Sequence, residues 1–218
     1  MNEKYPQHIP AAEDGQEHQP AADERAADRE GEPRPHPRIY ITKGLPLRAE
    51  LTTGTWLDMA RDPRDIYAEM YGILEDETSD GERLYIWDYR DFGAFDVTTG
   101  AIGLEGVDSI ELLSQIARGI AKYGPAYAAW ADAHDDDPLL FDHFATAYKG
   151  HHENMAAYVR QLLEPLRIDE MLKRAVPTAL EEFVYVDYAA IGQEMLREGD
   201  LVAIPAEGGG VWVFDERA

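Results

Sequence analysis

Residues 108–164 read DSIELLSQIARGIAKYGPAYAAWADAHDDDPLLFDHFATAYKGHHENMAAYVRQLLE. Apolar residues recur through this stretch at spacings of three and four, as they do on one face of an α-helix. The pattern predicts four short amphipathic helices that carry acidic residues on their free faces. The predicted apolar faces are Ile110, Leu113, Ala117 and Ile120; Tyr127, Trp130 and Ala131; Leu140, Phe141, Phe144 and Tyr148; and Met155, Tyr158, Val159, Leu162 and Leu163.

Capping residues set the ends of these four helices. Asp108 and Glu111 have the spacing of a capping box, so the first helix is expected to run from Asp108 to Tyr123. Gly124-Pro125 separates it from the second helix, and Asp137-Pro138 begins the third. Gly150 is expected to end the third helix, and a proline at position 165 ends the fourth.

The flanking segments mix strands and helices. β-branched and aromatic residues predict strands over 38–42, 54–58 and 83–88, with a helix opened by Asp62-Pro63 between the last two. On the C-terminal side, helices are predicted over 168–175 and from Asp187 to Arg197, followed by a hairpin around Gly208-Gly209-Gly210. All four tryptophans are expected in the core: Trp56, Trp87, Trp130 and Trp212.

These elements predict the α+β class and a division into a tail and three domains. Residues 1–37 have almost no large apolar side chains, which predicts a disordered tail. Residues 38–106 are predicted to form a small α+β N-terminal domain. An all-helical middle domain is expected over 107–165, and a small α+β C-terminal domain over 166–218.

Negative charge dominates the composition. The chain has 43 acidic and 20 basic residues and a formal net charge of -23, of which residues 38–218 contribute -18. Such a chain repels nucleic acid and anionic membranes and attracts basic surfaces, although acidic charge can also serve solubility alone. The lack of cysteine and of an apolar run long enough to span a bilayer fits a cytoplasmic protein.

No catalytic, cofactor or metal motif is found. No helix and no Lys-Ser/Thr pair follow Gly208–Gly210, so a phosphate loop is excluded. The adjacent His151 and His152 lack the spacing of a zinc pair, and Asp135–Asp137 lacks that of a calcium loop. A carboxylate pair for hydrolysis stays open, because any two of the 43 acids could meet in a cleft.

Three blocks resemble the ArdA antirestriction family. WDYRDFG (87–93) is similar to the family's H-D-Y-E-G-F strand end. YGPAYAAW (123–130) is followed by FATAYKG (144–150), and VDYAAIG (186–192) by EGD (198–200) and GGGVWVF (208–214). Their order over about 38–216 carries the resemblance. It implies an elongated three-part protein that mimics B-form DNA in charge and curvature.

The resemblance also implies partners. Family members form homodimers through the C-terminal part and occupy the DNA-binding groove of type I restriction-modification enzymes, and their genes commonly travel on mobile elements. No enzymatic turnover, nucleic acid, membrane or cofactor is expected. The acidic surface expected to bind the target comprises Asp65, Glu69, Glu111, Asp132, Asp135, Asp136, Asp142, Glu153, Glu164, Glu194 and Glu198.

Two other functions stay open at this point. The chain could be an acidic adaptor for a different basic DNA-binding protein, and competition by DNA would distinguish the two roles. Less favoured is a carboxylate-based hydrolase, for which two carboxyl groups with perturbed pKa values in a cleft would be evidence.

Overall fold

The computed structural model describes residues 35–44, 54–75 and 83–217. The predicted disordered tail therefore lies outside the described residues, apart from its last three positions. Within the described ranges the chain forms helices and two small antiparallel sheets, so the predicted α+β class is confirmed.

The first sheet contains four strands in the order β2-β1-β3-β4. The three predicted strands are confirmed as β1 (Arg38–Lys43), β2 (Gly54–Asp58) and β3 (Leu84–Arg90), and β4 (Gly100–Ala101) is an addition too short to carry a periodic signal. The predicted helix is α1 (Pro63–Glu75), which packs Ile66 and Met70 into the core under the sheet.

Trp87 and Trp56 are not core residues, contrary to the prediction. Trp56 is only partly buried, and two arginines lie over its ring on the outer face of the sheet. Tyr40 on β1 pairs with Asp88, whereas the next residue, Ile41, pairs with Ile86, so a bulge leaves Trp87 without a partner. Its side chain is 49% exposed. Simple alternation along the strand could not predict this, because the extra residue shifts the inward and outward positions.

Two helices follow the first sheet. α2 (Ile110–Tyr123) and α3 (Pro125–Ala133) meet at Gly124, as predicted. The N-cap of α2 is Ser109, whose hydroxyl accepts from the Leu112 N–H at 3.1 Å. The predicted cap at Asp108 is therefore wrong by one residue, because that carboxylate is used elsewhere in the fold.

The third predicted helix is mostly not α-helical. A 3₁₀ helix (Pro138–His143), capped by Asp137 as predicted, leads into one α-turn, α4 (Phe144–Ala147). The chain then extends as β5 (Tyr148–His152), so the middle region is not all helical. Pairing of β5 with a C-terminal strand decides this, which is a tertiary contact that local periodicity does not encode.

The rest of the chain follows the prediction closely. The helices are α5 (Met155–Leu163), a 3₁₀ turn (Glu164–Leu166), α6 (Ile168–Ala175), a second 3₁₀ turn (Thr178–Leu180) and α7 (Tyr188–Glu198). Asp187 caps α7 and Gly199 ends it in the left-handed conformation. The predicted hairpin is β6 (Leu201–Pro205) and β7 (Val211–Asp215), and it joins β5 in a sheet of order β5-β7-β6.

Two apolar clusters hold these elements. The larger joins the inner face of the first sheet to α1, α2 and α3, and it includes Trp212 and Phe214 from β7. The smaller contains Tyr158, Val159, Tyr188, Leu201 and Val213. Contacts of β5 and β7 thus cross the predicted boundaries, and the division into three domains stays a prediction. None of the described helices is long and apolar enough to span a membrane.

Candidate functional site

All eleven acidic residues predicted to bind a partner are exposed. They are spread over the described chain, from Asp65 on α1 to Glu198 at the end of α7. Their exposure leaves them accessible, but it does not show which of them act together. Their ion pairs and hydrogen bonds distinguish them.

Several of these acids have partners within the chain. The Arg61 guanidinium contacts the Glu69 carboxylate at 2.7 Å, and Arg197 forms an ion pair with Glu194. The Tyr67 hydroxyl donates to Glu111 at 3.1 Å. Asp65 and Glu69 lie one helical turn apart on α1, and Arg61 balances the charge of Glu69.

A different set of acids lies close together where α3 meets the loop before β4. We call Asp96, Asp108, Asp132 and Asp135 the aspartate cluster. The negative charges of Asp96 and Asp135 help to raise the carboxyl pKa of both Asp108 and Asp132. Asp132 and Asp135 were among the predicted surface acids. Asp96 was not predicted, and Asp108 was interpreted as a helix cap.

Hydrogen bonds hold three members of the aspartate cluster in place. The backbone N–H of Asp96 donates to the Asp132 carboxylate, and that of Thr98 donates to the Asp108 carboxylate at 2.8 Å. The Tyr89 hydroxyl donates to the Asp96 carboxylate. Asp96 also lies between the buried residues Phe95 and Val97, which fix its backbone. These carboxylates are therefore pre-ordered in the folded chain.

The environment raises two pKa values in the aspartate cluster. Desolvation raises the pKa of Asp108, and the like charges of Asp135 and Asp96 add to it, against the opposing Thr98 hydrogen bond. Desolvation also raises the pKa of Asp132, again with repulsion from Asp135 and Asp96 and an opposing hydrogen bond from the Asp96 N–H. The fold therefore holds negative charges together against their repulsion.

No described lysine, arginine or histidine forms an ion pair with any member of the aspartate cluster. Elsewhere several acids are paired, as Asp215 is with Lys149 at 3.2 Å. Fixed carboxylates without a described counter-cation can accept hydrogen bonds from the arginines and lysines of another molecule.

Raised carboxyl pKa values are also a property of catalytic acids, so the position of the aspartate cluster is informative. A cavity of about 310 Å³ lies beside α2 and is lined by Arg118, Lys122, Tyr127 and Asp142 among others. Neither Asp108 nor Asp132 lines it. The perturbed carboxyl groups are thus separate from this cavity, whose one acid is Asp142.

The histidine pair at 151–152 and the glycine run at 208–210 make polar contacts within the fold. His151 and His152 lie on β5. The Nε2 atom of His151 lies 2.8 Å from the Gly209 carbonyl oxygen, and that of His152 lies 3.3 Å from the Lys149 carbonyl oxygen. The Gly209 N–H donates to the Ala206 carbonyl within the predicted hairpin turn. Within the described ranges, no group of three or more His, Asp or Glu residues has the geometry to hold a metal ion.

The aspartate cluster could not be found from sequence spacing. Asp96 and Asp132 are 36 positions apart, and Asp96 follows no helical or strand pattern that would select it. The one local signal is the Asp132 and Asp135 pair, which lies at i,i+3 around the end of α3.

Comparison with known proteins identifies the family. The family model described as "Antirestriction protein (ArdA)" matches residues 48–207, which is well over half of the 218-residue chain. Neither the curated proteins nor the solved structures contain a match. The matched range includes the aspartate cluster, α2 to α7 and β6. The chain therefore belongs to the ArdA family of antirestriction proteins.

Proposed function

We propose that this protein inhibits type I restriction-modification enzymes by mimicking B-form DNA and occupying their DNA-binding groove. The observation that supports this mechanism best is the aspartate cluster, which presents fixed negative charges without a described counter-cation. Arginine and lysine side chains that normally hold DNA phosphates would contact these carboxylates instead.

The amount of charge is of the size that mimicry needs. Duplex DNA carries one negative charge per roughly 1.7 Å of its axis. Two copies of residues 38–218, each with a net charge of -18, would match roughly 60 Å of duplex at that density. Exposed acids outside the aspartate cluster, such as Asp136, Asp142, Glu153 and Glu164, would extend the negative surface.

Dimer formation through the C-terminal part is a second element of the proposal. The segment 166–185 exposes large apolar side chains, and α6 within it buries none of its residues. Several exposed large apolar side chains within one segment are typical of a protein interface. We infer that a second copy covers it. The apolar residues of this segment with exposed side chains are Leu166, Met171, Leu180, Phe183, Val184 and Tyr185.

The proposal is tested by titrating the protein into a purified type I enzyme while DNA binding and DNA cleavage are read together. Competition predicts that both fall in parallel, and that added DNA reverses the inhibition. An adaptor that binds outside the DNA groove would reduce cleavage without displacing DNA. That result would contradict the mimic mechanism.

A matched pair of variants tests the role of the aspartate cluster. The double variant Asp132→Asn/Asp135→Asn removes two charges from the cluster, and Glu105→Gln/Glu207→Gln removes two from exposed positions outside both the cluster and the segment 166–185. The first is expected to weaken inhibition by about tenfold or more, because charge-assisted hydrogen bonds contribute about 1.5–3 kcal/mol each. Equal losses in the two variants would indicate that only total charge matters.

A further inference from the structure

Two arginines lie directly opposite each other on the outer face of the first sheet. Arg38 on β1 pairs in register with Arg90 on β3. Both guanidinium groups lie over the ring of Trp56, at 5.1 and 4.7 Å from its centroid. Like charges directly opposite on antiparallel strands are destabilising, so this arrangement favours an anion between or above them.

The acids nearest to these arginines in the sheet are engaged elsewhere. Asp58, opposite Arg38 on β2, accepts from the Ala60 N–H at 2.9 Å and lies 3.6 Å from His36. Asp88 accepts from the N–H of Tyr89. Among the described residues, neither Arg38 nor Arg90 has a carboxylate within ion-pair distance, and the Nε of Arg38 is buried without an acceptor.

The stack forms a defined surface, which we call the arginine–tryptophan face: Arg38, Tyr40, Trp56 and Arg90. The rings of Tyr40 and Trp56 contact at 5.2 Å, which supports the indole that both arginines cover. A rigid aromatic base under two cations suits an extended acidic chain, because planar guanidinium groups bind carboxylates in a defined geometry.

An acidic segment of the same chain precedes β1 in the sequence. The Pro37 carbonyl accepts from the Met59 N–H at 3.0 Å, so the chain continues the β1–β2 ladder up to the residue before Arg38. Residues 13–32 contain eight acids and two bases. From Glu32 to Arg38 the chain has six steps, which span up to about 20 Å when extended.

We propose that the acidic segment 13–32 binds across the arginine–tryptophan face of its own chain, with its carboxylates contacting the guanidinium groups of Arg38 and Arg90. Tethering favours this occupant over a free partner, because a short linker gives an effective concentration in about the millimolar range. Bound there, the segment would add carboxylates to a face on which Arg38 and Arg90 are neighboured by Asp58 and Asp88. The inference does not depend on the proposed mimicry.

A spin label in the segment tests the contact in the full-length protein. The chain has no cysteine, so Ala26→Cys introduces one thiol for a nitroxide. The readout is the paramagnetic loss of intensity of the four tryptophan indole N–H signals in ¹⁵N-labelled protein. The signal of Trp56 is expected to lose most of its intensity. Trp130 and Trp212, which are buried in the larger core, serve as internal references.

Two variants separate binding from simple tethering. The first, Arg38→Gln/Arg90→Gln, removes the cations of the face. The second keeps the face and the length of the segment but neutralises five of its acids (Asp23→Asn, Glu24→Gln, Asp28→Asn, Glu30→Gln and Glu32→Gln). Both are expected to restore most of the Trp56 signal, as is high salt. If Arg38→Gln/Arg90→Gln also changes the signals of Trp130 and Trp212, the variant with the neutralised segment tests the proposal by itself.

Either of two results would overturn the proposal. An equal loss of Trp56 intensity in the native chain and in the charge-neutralised segment would mean that proximity alone causes the effect. Loss of Trp56 intensity in a mixture of ¹⁵N-labelled unmodified protein and unlabelled spin-labelled protein would assign the occupant to a second copy.

Discussion

The Asp108 carboxylate accepts a hydrogen bond from the backbone N–H of Thr98 at 2.8 Å, across ten positions of sequence. Two residues earlier in the same loop, the Asp96 N–H donates to Asp132 on α3. The loop before β4 is thus held by acids from the start of α2 and from α3. The same two bonds keep the aspartate cluster in shape.

Asp132→Asn is expected to stabilise the protein modestly at neutral pH, by about 0.2–1 kcal/mol, the range of exposed charge interactions. Folding raises the pKa of Asp132, so the folded state holds that proton more tightly than the unfolded chain. Stability is therefore greatest below the ordinary aspartate pKa of about 3.9 and falls as pH rises from there through the raised folded pKa. Asparagine removes the charge that causes this fall.

Urea unfolding at pH 7 and near pH 3 checks this expectation. The advantage of Asp132→Asn should be present at pH 7 and absent at the lower pH. A variant that is less stable than the native chain at pH 7 would show that the hydrogen bond from the Asp96 N–H outweighs the repulsion.

Affinity for a type I enzyme should fall steeply with salt if charge drives binding. Screening shortens the Debye length from about 10 Å at 0.1 M to about 3 Å at 1 M. We expect about a tenfold or greater loss of affinity across a threefold rise in salt, measured by titration calorimetry without DNA. An affinity that does not change with salt would argue against an electrostatic mimic.

Gly119→Ala should destabilise the protein by about 1–3 kcal/mol, the usual range for an overpacked core. The ring of Tyr127 on α3 lies against Gly119 on α2, where an added Cβ would clash with it. Gly72→Ala is the matched control, since Gly72 is an exposed position of α1 with open space around it. That change should stabilise by up to about 1 kcal/mol through helix propensity. Denaturant midpoints of the two variants should therefore move in opposite directions.

Tyr127 should resist ionisation in alkali. Burial raises its pKa to about 12, and the negative charge of Asp142 adds to the effect. The unfolded chain loses this proton near the ordinary tyrosine pKa of about 10, so ionisation should cost stability between about pH 10 and 12. Tyr127→Phe should remove on the order of 1–1.5 kcal/mol of that alkaline loss by pH 11, measured by urea unfolding from pH 7 to 11. If Tyr127→Phe leaves the pH dependence of the unfolding free energy unchanged, the result contradicts a raised pKa of Tyr127.

Met171→Glu/Phe183→Glu should convert a dimer into a monomer, because it introduces charges into the apolar surface proposed to bind a second copy. Tyr71→Glu is the control, since Tyr71 is an exposed apolar residue on α1, outside the proposed interface. Sedimentation velocity measures the result. Dissociation by the control alone would move the interface to the N-terminal part.

The expected elongation is checked separately by scattering: a compact chain of 181 residues has a radius of gyration of roughly 16 Å.

Sequence alone determined the elements whose signals are local. Asp137 and Asp187 begin helices where predicted, because a cap is satisfied within a few residues of its own position. The hairpin of β6 and β7 is similarly set by alternating apolar residues around a glycine turn. The excess of acidic residues is likewise a property of composition.

Tertiary structure alone decided which distant residues meet. Tyr148 continues the helical spacing of Phe141 and Phe144, yet residues 148–152 form β5 because β7 offers an edge to pair with. Trp87 is exposed because one bulge shifts the register of its strand. Asp96, Asp108, Asp132 and Asp135 form one cluster because loop, helix start and helix end converge in space. Sequence fixes how much negative charge the chain carries, whereas only long-range packing fixes where those charges stand.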